Sequence, residues 1–253
     1  MRILVTNDDG VFAEGLRRLV TAASAFGEVV VVAPDREQSA SSHALTLHRP
    51  LRLRLVEESW YAVDGTPTDC VNMAVQGLLK DGRPDLVLAG INYGPNMGDD
   101  VTYSGTVSAA FEASLHRLPA LAFSQSVEEG FSFDAAEELA RSFLQSVLDE
   151  GLPKDLLLNV NFPAGPCRGV SLTRLGRRYY HQTVVAKTDP KGRDYYWIAG
   201  TPEWEREEGT DHTAVTDGYV SVTPLHLDLT DYRGLERYAA LGERLRHLGC
   251  VET

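Results

Sequence analysis

Basic runs, paired metal-type cysteines and long apolar segments are all missing from this chain. No cluster of Lys or Arg offsets the net charge of −12, so neither a nucleic-acid polymer nor an anionic membrane is expected as a partner. A small anion stays possible, provided its site supplies positive charge. The three cysteines, Cys70, Cys167 and Cys250, are odd in number and lack ligand spacing, which points to a reduced, cytoplasmic protein. No apolar run approaches ~18 residues and no leader-like segment opens the chain, so a membrane span and a secretory signal are not expected. Repeats and low-complexity tracts are absent too. The 253 residues, 43% of them hydrophobic, suffice for one large core, although the usual domain is nearer ~150 residues.

What is present begins at once. Arg2 to Thr6 is a β-branched and leucine run without helical period, read as a buried strand. It stops at Asn7-Asp8-Asp9-Gly10, two adjacent carboxylates before a permissive glycine. Such a pair raises the pKa of both members unless a cation sits between them. The plainer alternative makes Asp8 a helix cap and Asp9 a turn residue.

Helical spacing follows from about Ala13 to Phe26, then a second apolar strand, Val29 to Ala33, ended by Pro34. Together they form a βαβ unit and imply a parallel sheet. The first turn lacks Gly-x-Gly-x-x-Gly, so a dinucleotide cofactor is not expected. The second strand feeds a polar loop from Asp35 through Ser39 to His43. Leu51 to Val56 and Trp60 to Val63 read as a hairpin, and Thr66-Pro67-Thr68-Asp69 as the capping box of a helix that packs Cys70 away. Leu86 to Ile91 is a strand leading into a long loop with Asn92, Asn96, Asp99 and Asp100. Such a loop is costly to order unless it binds something. It ends at Ser104-Gly105-Thr106, where a helix opens with the small hydroxyls and free N–H groups of a phosphate seat. Ser104 as an ordinary N-cap is the simpler reading. Pro119 to Phe123 and Leu156 to Phe162 are further strands, around a helix from Asp134 to Leu148.

After about Gly165 the character changes. Val170 to Leu175 and Tyr219 to Pro224 read as strands, with an aromatic and charged stretch between them and an acidic loop from Glu203 to Asp211. A helix from about Tyr232 to Leu248 closes the chain. The fold expected is α/β: a three-layer, Rossmann-like, mostly parallel sheet with a β-hairpin arm and a C-terminal helix. Residues 1–165 form the catalytic core of one domain, and about 177–253 an oligomerisation arm and C-terminal segment.

Three strand ends then converge: Asp8 with Asp9, Ser39, and Asn92. This all-oxygen set suits magnesium or manganese better than zinc. With donors at Ser104, the chemistry indicated is metal-assisted phosphoryl transfer to water. The opening strand with Asn7-Asp8-Asp9-Gly10, the Ala-Pro-Asp-Arg-x-x-Ser39 loop, Gly-Thr66-Pro67-Thr-Asp-Cys70 and the run from Gly90 to Thr106 resemble the SurE family, over about residues 3–113. The resemblance implies a metal-dependent 5′/3′-nucleotidase. It assigns Asp8, Asp9, Ser39 and Asn92 to the cation and Asn96, Ser104, Gly105 and Thr106 to the phosphate, with Asp8, Asp9 and Asn96 catalytic. Substrates would be nucleoside monophosphates, with short polyphosphates for some members, and the assembly a homodimer or homotetramer exchanging C-terminal segments. One departure is Ser39-Ala-Ser-Ser-His43 where many members carry Ser-Gly-Ala-Ser-Asn, which opens a contact of His43 with substrate or leaving group.

Rival readings fit less well. A receiver module needs a phosphorylatable Asp and a Lys at strand ends that here show Asn92 and Ser124-Gln125. An Asp-nucleophile phosphatase usually separates its two aspartates by one residue. A pure nucleotide-binding protein has no use for the carboxylate pair.

Overall fold

The computed structural model describes residues 1–128, 131–181, 184–198 and 200–246. The chain starts with β1 (Arg2–Thr6), α1 (Glu14–Ala23), β2 (Glu28–Pro34), β3 (Leu53–Glu57), β4 (Trp60–Val63) and α2 (Pro67–Met73), then β5 (Leu86–Tyr93), α3 (Gly105–Leu115), β6 (Ala120–Gln125), α4 (Asp134–Glu150) and β7 (Leu157–Phe162). Next come β8 (Val170–Leu172), β9 (Arg178–His181), β10 (Val184–Thr188), β11 (Asp194–Ile198), β12 (Thr201–Trp204), α5 (Asp211–Thr216), β13 (Val220–Pro224), α6 (Tyr232–Arg237) and α7 (Ala239–Leu245).

Nine strands form one sheet in the order β3-β4-β2-β1-β5-β6-β7-β13-β8. From β4 to β7 every pairing is parallel. β3 runs antiparallel to β4 and β13 antiparallel to β7. The chain winds outward through β2 and β4 on one side of β1, then through β5, β6 and β7 on the other. This is the doubly wound order, with its reversal between β1 and β5. The crevice at the carboxyl ends of those two strands is where such sheets bind ligands.

Strand alternation explains the three layers. Ile3 and Val5 of β1 pack with Leu16 and Leu19 of α1 and Ala140 and Leu144 of α4. Leu4, pointing the other way, packs with Val71 of α2 and Val107 and Ala110 of α3. Ile3, Leu4, Leu16, Leu88 and Phe123 are fully buried, each contributing roughly 1.5–3 kcal/mol of transfer free energy. The parallel α/β fold expected from the βαβ pattern is the fold observed, and the hairpin of β3 and β4 forms. The hairpin does more than expected, since β4 also joins the main sheet beside β2. The capping box at Thr66 and Asp69 is present. Cys70 is fully buried, and that burial pushes its pKa well above the ordinary thiol value.

Two expectations need correcting. The acidic stretch from Glu203 to Asp211 is not simply a loop: β12 takes Glu203 and Trp204, and Asp211 opens α5. The closing helix is broken at Tyr238 into α6 and α7, while Leu248 lies outside the described residues. Gly234 and Gly242 sit inside these segments, where glycine costs about 1 kcal/mol relative to alanine, and apart from Gly234 neither helix buries a residue. Between β8 and α5, the four arm strands pair as two antiparallel ribbons, β10 with β11 and β9 with β12.

Candidate active site

The turn after β1 is shaped by Asn7, whose amide donates to the Gly10 carbonyl at 2.9 Å. Asp8 is almost fully buried. Its carboxylate accepts the Thr106 hydroxyl at the start of α3, and the helix N-terminus favours negative charge there. Burial raises the Asp8 pKa, opposed by the hydroxyl and N–H of Thr106 and the N–H of Gly105, and the net direction is up. Asp9 accepts the Tyr93 N–H at 3.2 Å. Its pKa is pushed up to about 6, first by burial, then by the charge of Asp8 and of Glu37, against the Tyr93 N–H. Burial is thus the main cause of both shifts, with the charge of Asp8 adding to that of Asp9.

The loop after β2 is tied to this turn by Gln38 N–H donating to the Asp8 carbonyl at 2.7 Å. Ser39 donates to Glu37 at 2.7 Å. Ala40 and Ser42 hold positive φ of 57° and 52°, an unfavourable region for residues with a Cβ. Several latches keep them there. Ser42 N–H donates to the Tyr103 carbonyl at 3.1 Å, and the Thr66 hydroxyl donates to the Ala44 carbonyl at 2.7 Å. His43 Nε2 lies 2.9 Å from Glu112 Oε2. Burial works to raise the Glu112 pKa, but the hydrogen bond and charge of His43, the charge of His116 and the Asn72 amide outweigh it and leave it below its ordinary value. His43 is therefore bonded into α3, a loop anchor, and is not on the cavity wall described below.

β5 slips register against β6 between Ala89 and Asn92. Gly90 permits the slip, with φ of 127° and so little room that an added Cβ would lie 2.2 Å from the Phe123 carbonyl oxygen. Beyond the slip, Asn92 donates its amide NH2 to the Gly94 carbonyl at 2.7 Å, a bond that does not use its carbonyl oxygen. Asn96 is held from all sides. Its N–H donates to Asn161 Oδ1 at 2.8 Å, its amide donates to Ser124 Oγ at 2.8 Å, and its carbonyl accepts from Asn159 at 2.8 Å and Asn161 at 3.0 Å.

Asp8, Ser39, Asn92, Asn96 and Ser104 line one cavity of about 810 Å3. Five of the residues expected from the sequence are thus brought together. Asp9, Gly105 and Thr106 stand behind that wall, through Tyr93 and Asp8. Ser104 caps α3 by accepting the Val107 N–H at 3.1 Å. Two placements differ from the simple phosphate seat. The Thr106 hydroxyl is directed to Asp8, and so are the N–H groups of Thr106 and Gly105. A Cβ on Gly105 would lie 2.8 Å from Asp8 Cβ and Oδ2 and 2.9 Å from Ser41 Oγ, so the missing side chain makes room for Asp8. Among the described residues no group of three or more His, Cys, Asp or Glu side chains is arranged to hold a metal ion by itself. Sequence reading missed the supports: Ser124, Asn159, Asn161 and Glu112. Their signal was polarity inside otherwise buried elements, with Asn159 and Asn161 two residues apart on one face of β7.

A doubly wound α/β sheet with paired carboxylates, amide oxygens and a helix N-terminus at its switch point defines a Rossmann-like protein whose site suits a hard cation beside an anion. The family model of the survival protein SurE matches residues 3–182, and the chain belongs to that family. The match runs well past the motifs of the first 113 residues. "5'-nucleotidase SurE" of Syntrophotalea carbinolica is 55% identical over 242 residues, covering 93% of this chain and 95% of the relative. That of Myxococcus xanthus is 54% identical over 235 residues, covering 91% and 89%. The crystal structure of the SurE protein from Aquifex aeolicus superposes with a TM-score of 0.85 at 45% identity, covering 96% of this chain and all of that one.

Proposed function

We propose that the chain is a divalent-cation-dependent phosphomonoesterase that hydrolyses nucleoside 5′- and 3′-monophosphates to nucleoside and phosphate. The observation that carries this is the convergence of Asp8, Ser39 and Asn92 with Asn96 and Ser104 at one sheet crevice, with Asp9 next to Asp8 and bonded to the Tyr93 N–H, in a chain whose relatives are named 5′-nucleotidases. The donor chemistry fits magnesium or manganese: two carboxylates, an amide oxygen left free of the Gly94 contact, and a hydroxyl. When bound, the cation neutralises phosphate charge and activates water for attack.

The chain's own groups do the rest. Asn96 is fixed by Asn159, Asn161 and Ser124 and presents its amide without having to be ordered on binding. Ser104 offers a hydroxyl proton to a phosphate oxygen, while the first N–H groups of α3 hold Asp8 and the Ser104 cap. Asp8, held by Thr106, is an oriented cation ligand. Asp9, less buried and held by the Tyr93 N–H, would accept a proton from the attacking water. Water adds to phosphorus, the ester P–O bond breaks, and the nucleoside oxygen leaves with a proton.

Residues 1–165 supply the catalytic core in this reading, and 177–253 an oligomerisation arm and C-terminal segment of a cytoplasmic homodimer or homotetramer. Exposed Val184, Tyr196 and Trp197 on β10 and β11, and Leu235, Tyr238 and Leu241 on the last helices, support an interface. The Trp204 ring already stacks on His212 at 4.3 Å and carries Arg178 over it. No helix among the described residues is long and apolar enough to cross a membrane. Short polyphosphates are a further substrate class. Release of inorganic phosphate from AMP, GMP and glycerol phosphate, with and without chelator, separates this enzyme from a nucleotide-binding protein.

A further inference from the structure

The arm reaches the candidate site of its own chain. Tyr180 of β9, Ile198 at the end of β11 and Gly200 line the same cavity as Asp8, Asn96 and Ser104. Tyr180 is held there by the loop that carries the phosphate donors. Its hydroxyl donates to Asp100, 2.9 and 3.0 Å from the two carboxylate oxygens. Arg178 pairs with the same carboxylate and lies over the Tyr180 ring, 4.7 Å from its centroid. The Arg178 N–H donates to Asp99 at 3.0 Å. Deeper in, the buried Asp211 carboxylate accepts N–H groups from Gly98 at 2.8 Å and Gly176 at 2.9 Å. The segment after Asn96 and the root of the arm therefore share one anchor, and the arm is registered on the phosphate seat.

Beyond the polar donors, the cavity wall is Tyr93, Pro95, Tyr103, Tyr180 and Ile198. Tyr93 is braced edge-on by Phe131 at 5.7 Å. Tyr180 is 43% exposed and Ile198 91% exposed, so the arm leaves apolar surface open at the mouth of a polar site. Such a wall offers little to a phosphate, whereas aromatic rings match the face of a nucleobase.

We propose that the arm supplies the nucleobase wall of the site, with Tyr180 as a specificity-determining residue that contacts the base of a nucleoside monophosphate whose phosphate lies at Asn96 and Ser104. This rests on the nucleotidase reading above and adds to it which part of the chain selects the substrate. It assigns Arg178 and Asp100 to positioning Tyr180, and leaves the chemistry to the crevice.

The test compares AMP with ribose 5-phosphate, which keeps sugar and phosphate but lacks the base, using full-length protein with manganese. Wild type favours AMP, and Tyr180→Ala lowers kcat/KM for AMP about tenfold or more while changing ribose 5-phosphate by less than about twofold. An equal loss on both compounds, or none on AMP, overturns the inference. Should Tyr180→Ala fail to fold, Ile198→Ser carries the test at a position too exposed to matter for folding: a selective loss on AMP supports the wall and an unchanged ratio overturns it. The two readings fail differently. A wild type that cleaves AMP no better than ribose 5-phosphate removes the base wall alone, whereas one that releases phosphate from neither removes the nucleotidase reading and the wall with it.

Discussion

Replacing Asp9 by asparagine should stabilise the metal-free protein while removing its response to metal. In the folded chain the Asp9 pKa rises from 3.8 to about 6, through burial and the charges of Asp8 and Glu37. The folded state therefore holds the proton more tightly than the unfolded state, and stability falls as pH rises between those two values. The penalty is absent below about pH 3.8 and complete above about pH 6. Two pKa units correspond to about 3 kcal/mol. Asp9 is only partly buried, and solvent screening reduces that to about 1–2 kcal/mol. Asparagine keeps an oxygen for the Tyr93 N–H and carries no charge. Urea unfolding in chelator at about pH 7.5 should place Asp9→Asn about 1–2 kcal/mol above wild type, with the difference vanishing near pH 4. Added manganese should raise the wild-type midpoint and leave the variant's nearly unmoved, because binding to the native state alone stabilises it. An Asp9→Asn protein that is less stable than wild type in chelator, or that gains as much from manganese, refutes the reasoning.

Three further outcomes are expected. Gly105→Val should weaken manganese and inorganic phosphate binding together, since the new Cβ meets Asp8 and Ser41; titrations in which only phosphate affinity falls would place Gly105 in the seat alone. His43→Ala should cost about 1–3 kcal/mol in unfolding experiments by leaving buried Glu112 short of a partner, and should weaken manganese affinity through the Ser39 loop, whereas a substrate contact would change KM and leave metal affinity unmoved. Light scattering on the full-length protein should give at least twice the chain mass of 27.8 kDa, reduced on deletion of residues 177–211; a chain-sized mass across dilution excludes the oligomer, and a deletion without effect excludes the arm from the interface.

How much of this was legible in the sequence depended on how local the cause was. β1 and β2 are short β-branched runs bounded by a glycine and a proline turn, and the capping box at Thr66 lies within four residues, so both could be read directly. The donors at strand ends were legible because an α/β sheet places every such end at one edge. What escaped was long-range pairing. Nothing near Asn96 in the sequence announces Asn159, Asn161 and Ser124, whose amides and hydroxyl meet it across two strands. His43 reads by itself as a structural or surface histidine, and only its departure from the family pattern suggested substrate; its partner Glu112 lies on a helix 69 residues away. Gly105 suggested backbone near phosphate, whereas the close neighbour is Asp8. The break at Tyr238 was not legible because the apolar spacing continues through it, yet no packed surface rewards a straight helix there.

The most direct test measures phosphate release from AMP by wild type and by Asp8→Asn, each stripped with chelator and then supplied with manganese. Wild type should lose activity on stripping and regain it with manganese, while Asp8→Asn stays at least about a hundredfold below wild type at saturating metal with its fold intact by circular dichroism. Near wild-type turnover by Asp8→Asn, or full activity of stripped wild type, would contradict the assignment of a cation-dependent nucleotidase to this crevice.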